Sequence, residues 1–273
     1  MCIIDISKVI PERNIIVFSP HYDDLAFFLA GYVLGLKENG IRDTKYFTNI
    51  NVFSRSNYQA RQDEGNKDTS LERIKYAVGN RVIEDLCCLD DLLGEYNYVY
   101  RLLGERESQV RGKVFADSDM EFSHGMYEDF DDCDWGILKR VSDIVEQLAK
   151  EEDTALVFPV AFKEHIDHFI VREAGLKIAK RGSNNSKFYF AEDKPYAGIA
   201  DKIEIKRISD FVEENRLITR AFKHYPHEMI DLVLKHYVSQ VEDVYIKGII
   251  SHAQELMATY SVNYPVDCIY VYP

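Results

Sequence analysis

Ile15-Ile-Val-Phe-Ser-Pro-His-Tyr-Asp-Asp24 begins with four β-branched or aromatic residues and ends on His21, Tyr22, Asp23 and Asp24. A short run that is apolar on both faces is the signature of a buried parallel strand. Ser19-Pro20 stops it, and Leu25 to Leu36 reads as an apolar helix with Gly40 as its stop. The stretch is therefore a strand, a polar loop and a helix. In open α/β sheets the carboxyl end of such a strand is where ligands sit.

A second stretch repeats the arrangement. Ala155-Leu-Val-Phe158 is another short apolar run, Pro159 ends it, and His165 to Lys180 reads as a helix opening on His165-Ile-Asp-His168. Between and after these units, Lys45 to Phe53 and Lys187 to Ala191 are strand candidates. Leu71 to Leu93 is helical by pattern, with Gly79-Asn80 a potential break, and Trp135 to Lys150 is an amphipathic helix. Ser54 to Thr69 reads as a mobile loop, and the charged stretch around 105–133 as an irregular insertion. The C-terminal third reads as helices over Lys206 to Lys223, Pro226 to Leu234 and Asp243 to Met257, then a strand over Cys268 to Tyr272. Alternating strands and helices predict a Rossmann-like, mainly parallel sheet with helices on both faces and a helical C-terminal part, residues 1–273 forming one domain.

Bulk composition excludes several classes. The 273 residues carry a net charge of −13, the wrong sign for phosphate contacts, so neither nucleic acid nor an anionic membrane surface is an expected partner. No apolar run reaches the roughly 18 residues of a membrane span. The N-terminus, interrupted by Asp5 and Lys8, does not read as a secretory leader. Five irregularly spaced cysteines suit reduced thiols, and a cytoplasmic location is expected. Homo-oligomerisation is left open. Dinucleotide and P-loop glycine patterns are absent.

His21 and Asp24 stand three residues apart, as do His165 and His168. At a turn or a helix start that spacing puts each pair on one face. For either segment alone, capping of a helix is as good a reading as metal binding. Two such clusters, each after a buried strand, point to one metal site with about three His or Asp ligands and room for water.

Ser19-Pro-His-Tyr-Asp-Asp24 resembles the SPHxDD form of the first motif of the LmbE-like, or PIG-L, zinc deacetylases, and His165-Ile-Asp-His168 resembles that family's HxDH motif. Three further segments are similar, in order, to its RxxED helix, its xEDxPY strand end and its KxYxSQ segment: Arg81-Val-Ile-Glu-Asp85, Phe190-Ala-Glu-Asp-Lys-Pro-Tyr196 and Lys235-His-Tyr-Val-Ser-Gln240. The resemblance implies a Rossmann-like fold and removal of an acyl group from a GlcNAc-type amino sugar or related N-acyl small molecule. It implies one Zn2+ per chain, replaceable by other divalent ions, on His21, Asp24 and His168. Asp23 would be the general base, and a protonated His165 would face the developing oxyanion with Asp167 as its charge partner. Phe27 and Phe28 depart from the small residues the family often has after its Asp pair.

Other residues admit two readings. Arg81 could bind a substrate hydroxyl or phosphate, or pair with Glu84 or Asp85. Asp193 and Tyr196 could line the sugar pocket or belong to a turn around Pro195. His224, His227 and His236 read as surface residues. Two other functions compete: a metal-dependent phosphohydrolase, which would need more ligands for a second ion, and a catalytically silent binding or scaffold protein.

Overall fold

The computed structural model describes residues 3–113, 130–162 and 165–273. Seven strands form one sheet: β1 (Asn14–Ser19), β2 (Tyr46–Asn51), β3 (Tyr98–Leu102), β4 (Thr154–Pro159), β5 (Lys187–Ala191), β6 (Ile218–Lys223) and β7 (Val266–Val271). Their order is β3-β2-β1-β4-β5-β7-β6. The first five are parallel, and β7 runs antiparallel to both β5 and β6. The mainly parallel α/β sheet expected from the sequence is therefore present.

Eight α-helices accompany the sheet among the described residues: α1 (Asp24–Glu38), α2 (Asp63–Asn66), α3 (Leu71–Leu93), α4 (Asp132–Leu148), α5 (Ile166–Ala179), α6 (Lys202–Glu214), α7 (Pro226–His236) and α8 (Asp243–Tyr260). Alternation along the strands divides the core. Ile15 and Val17 of β1 pack with α1, α3, α7 and α8 on one face. Ile16 and Phe18 pack with α4, α5 and α6 on the other. Phe18 and Phe158 stack at 5.0 Å across the β1–β4 pair. Helix α5 lies so close that a Cβ on Gly175 would meet the Phe158 ring at 2.6 Å. Strand order reverses between β1 and β4, the place where a crevice opens beyond the carboxyl ends. Both histidine-bearing segments leave the sheet there.

Several elements differ from expectation. Gly79 does not break α3; a Cβ there would touch nothing, and burial of Ala77, Arg81 and Asp85 carries the helix through. The helix expected over Lys206 to Lys223 ends at Glu214, because Arg216 takes a left-handed φ of 53° and turns the chain into β6. β3 is an edge strand whose exposed residues leave no apolar run to read. Residues 54–69 are not loosely held. Ser56, Asn57 and Gln59 are buried, and the Asn57 and Asn66 side chains tie the loop to its own backbone. Of the expected insertion, residues 105–113 and Phe130 pack against the main body, 131–133 are exposed, and 114–129 lie outside the described residues. His224 is buried against Gly31 and 3.7 Å from Asp267, not on the surface; His236 is half-buried and pairs with Asp91. Cys87, Cys88, Cys133 and Cys268 are free thiols. No described helix is long and apolar enough to cross a membrane.

Candidate metal centre

Asp23 is the N-cap residue of α1, yet its side chain makes no capping hydrogen bond. The Asp24 carboxylate instead accepts the His21 backbone N–H at 2.6 Å. Neither aspartate behaves as an ordinary helix cap, which removes the bland reading of this segment.

The α1 and α5 openings meet. His21 Nδ1 lies 3.6 Å from Asp24 Oδ2 and 3.2 Å from His168 Nε2, and His168 Nε2 lies 3.6 Å from Asp24 Oδ2. With zinc–ligand bonds of about 2.0–2.1 Å, ligand atoms of a tetrahedron stand about 3.3–3.4 Å apart. The three atoms thus outline one face of such a tetrahedron, and the donor set fits a single divalent ion. All three residues are buried. Burial pushes the Asp24 carboxyl well above its ordinary range, as expected of a buried acid whose neighbours include Asp23 and Asp193.

Each histidine is held from behind. His168 Nδ1 meets the Asp193 carboxylate, whose other oxygen accepts from Ala161 N–H (2.8 Å) and Phe162 N–H (3.3 Å). Ala161 adopts a left-handed φ of 65°. His21 Nε2 lies 3.1 Å from Asp167 Oδ2. Such carboxylate–histidine pairs fix the tautomer and aim the other nitrogen at a metal. Asp193 was expected at the substrate; its place behind His168 keeps it out of the cavity lining, because both its oxygens are taken up.

Asp167 has partners beyond His165. Against the cost of burial, an ion pair with Arg111 (2.8 Å) and contact with His21 hold it well below the carboxylate range. Its second oxygen also accepts Ser108 N–H at 2.9 Å. His165 Nδ1 accepts the Asp167 backbone N–H at 3.2 Å. Burial, with His21, His168 and Arg111 nearby, pushes His165 well below its ordinary value despite Asp167. A cationic His165 is therefore disfavoured. With Nδ1 accepting, the neutral ring carries its proton on Nε2.

A narrow cavity of about 40 Å³ adjoins the donors. His21, Asp23, Asp24 and His165 line it together with Arg81, Tyr196 and Phe27. Glu107, Gln109, Tyr58 and Tyr245 complete it, and none of them stood out in the sequence. Glu107 lies in a charged stretch without period, and Tyr58 is one of 18 dispersed tyrosines. Phe28 turns away from the cavity lining and meets His168 edge-on at 6.2 Å. Arg81 pairs with neither Glu84 nor Asp85. It donates to Gln240 (2.6 Å) and Ser56 (2.7 Å) and lies 3.4 Å from Glu107 and 3.8 Å from Asp23. A larger cleft of about 520 Å³ is lined by Lys223, Tyr225 and His227 and contains none of the metal-type donors of this centre.

No protein-family model matches the chain. A 2'-N-acetylparomamine deacetylase of Streptomyces fradiae is 28% identical over 204 residues, covering 71% of this chain and 61% of that relative's length. Among solved structures, a teicoplanin deacetylase in a zinc-inhibited form superposes with a TM-score of 0.62 at 18% identity, over 94% of this chain and 97% of that one. An A40926 pseudoaglycone deacetylase gives 0.61 at 18% identity, over 96% and 99%. The N,N'-diacetylchitobiose deacetylase of Pyrococcus horikoshii gives 0.55 at 13% identity, over 96% and 84%. These structures share the fold. The resemblance carried by the two motifs thus extends to the architecture and to a long sequence match.

Proposed function

We propose that this chain is a metal-dependent N-deacetylase of the LmbE-like, or PIG-L, family, with residues 1–273 as one catalytic domain. It would remove acetyl from an N-acetylated amino sugar or a related N-acyl small molecule. The observation that carries the reading is the triangle of His21 Nδ1, Asp24 Oδ2 and His168 Nε2 beside an aspartate that caps nothing. The relative from Streptomyces fradiae, named for an N-acetylated substrate, supports the same class.

His21, Asp24 and His168 would hold one Zn2+ or a similar divalent ion. When bound, such an ion polarises a carbonyl and brings the pKa of a bound water from about 15.7 to about 7. The chain's own groups supply the proton chemistry. Asp23, in the cavity and steadied by Arg81, would accept the water proton and pass it to the leaving nitrogen, so that the amine departs neutral. His165 would donate its Nε2–H to the oxygen that becomes negative as the acyl carbon turns tetrahedral, a neutral donor in place of the imidazolium first expected. Arg81, Tyr196 and the rings of Tyr58 and Tyr245 would position the sugar.

The test is acetate release from a panel that includes N-acetylated aminoglycoside-type pseudo-disaccharides and N-acetylglucosamine conjugates, with and without chelator. Release that stops with chelator supports the proposal. No release from any member would shift the reading to a silent scaffold.

A further inference from the structure

We infer that Arg111 is a positioning residue for the metal centre: it sets the His21 ligand through Asp167, making the segment after β3 part of the site. The inference rests on the metal reading above. For His21 Nδ1 to offer a lone pair, the ring proton must sit on Nε2, which faces Asp167 Oδ2 at 3.1 Å. Asp167 must then stay in place as an acceptor inside the protein, where it has no solvent contact.

Two groups keep it there, and both come from residues 108–111. Ser108 N–H donates to Oδ2 at 2.9 Å, and Arg111 Nη2 stands 2.8 Å from Oδ1. Arg111 is itself fixed. Its Nε donates to Asp134 Oδ1 at 3.0 Å, its Nη1 to the Arg106 carbonyl at 2.5 Å, and its guanidinium lies 5.0 Å over the Phe53 ring. Asp134 belongs to the first turn of α4 and is held by the Asp131 capping box and by Lys113 at 2.6 Å. A chain of contacts thus runs Asp134–Arg111–Asp167–His21, from α4 across the α5 opening into the β1–α1 loop. A planar fork that meets two carboxylates at once is something Lys cannot reproduce. Partners behind a metal ligand typically govern affinity by about 10–100-fold.

The experiment measures zinc affinity of the whole chain by competition with a chromophoric chelator. It uses wild type, Arg111→Gln and Arg111→Lys, with circular dichroism of each metal-free protein as the folding control. The expected result is folded variants whose zinc dissociation constant rises about 10–100-fold for Gln and by less for Lys. A shifted visible spectrum of bound Co2+ should accompany the change. Folded variants with wild-type affinity and spectrum would overturn the inference alone. If neither variant folds without metal, the role of Arg111 is structural and the inference is likewise overturned. Wild type that binds no zinc would sink the metal reading, and this inference with it.

Discussion

Among the described residues, three buried groups bring histidine and carboxylate atoms within 4.8 Å of one another; His21, His165 and Asp167 form one that shares His21 with the proposed centre, and the other two, with no residue in common, balance their charge in different ways. One is His21, Asp24 and His168; the other is Glu192, His252 and Asp267. In the second, Lys194 Nζ lies 3.1 Å from Asp267 and His252 Nε2 lies 2.5 Å from Glu192. Despite burial, His252 brings the Glu192 carboxyl down to about 2. In the first, no lysine or arginine among the described residues pairs with Asp24, and burial drives its carboxyl upward. A set of metal-type residues is therefore not a metal site by itself. What distinguishes the first cluster is that no Lys or Arg among the described residues pairs with the ligand carboxylate, and that the donors outline a tetrahedral face beside a cavity.

The sharpest way to break this comparison is to remove one histidine from each cluster. His168→Ala should abolish stoichiometric zinc binding and deacetylation, whereas His252→Ala should leave one zinc per chain, as read by metal analysis after dialysis. Equal zinc loss in both would erase the distinction. Within the first cluster, Asp23→Asn should keep the metal and lose about 10²–10⁴-fold in turnover, the usual worth of a general base. Full activity in that variant would reassign the base.

Within the second cluster, Lys194→Met should leave Asp267 buried without its partner and destabilise the fold by about 3–5 kcal/mol in denaturant unfolding. Wild-type stability would mean that Lys194 is not the counter-charge described. A third buried acid, Asp85, offers a test spread over several pH units. Its donors among the described residues are hydroxyls, Tyr100 at 2.6 Å and Tyr237 at 2.7 Å, and burial pushes it up to about 8. Unfolded, it would ionise near 3.9, so the folded state holds the extra proton in between. The stability linked to that proton is fully present below about pH 4 and is lost as pH rises toward about 8, with a slope of at most about 1.4 kcal/mol per unit. Asp85→Asn should flatten this slope relative to wild type; an unchanged slope would point to another group.

How much of this was legible in the sequence follows from what each residue depends on. The β1 and β4 runs and the helices after them are local patterns, and both were readable, as was the meeting of His21, Asp24 and His168 at two strand ends. The contacts behind them were not. Asp193 reaches His168 only because β5 lies beside β4, and Arg111 reaches Asp167 only because the charged stretch after β3 folds back over α5. Asp167 acts on its sequence neighbour His165, but its contact with His21, 146 residues away, was not legible. The downward push of burial on His165 was not legible for the same reason: burial and the neighbouring His21, His168 and Arg111 are properties of the assembled site. Strands β3 and β6 lie at the sheet edges, where half-exposed residues leave no apolar run.

The central claim is that the His21, Asp24 and His168 triangle carries one ion and that this ion is needed for deacetylation. The direct measurement is the initial rate of acetate release from metal-free protein as zinc is added in sub-stoichiometric steps, on a substrate found active in the panel. The rate should start near zero, rise in proportion to zinc, and reach its plateau at one equivalent per chain. A full rate before any metal is added, or a rate that needs two equivalents, would contradict the account.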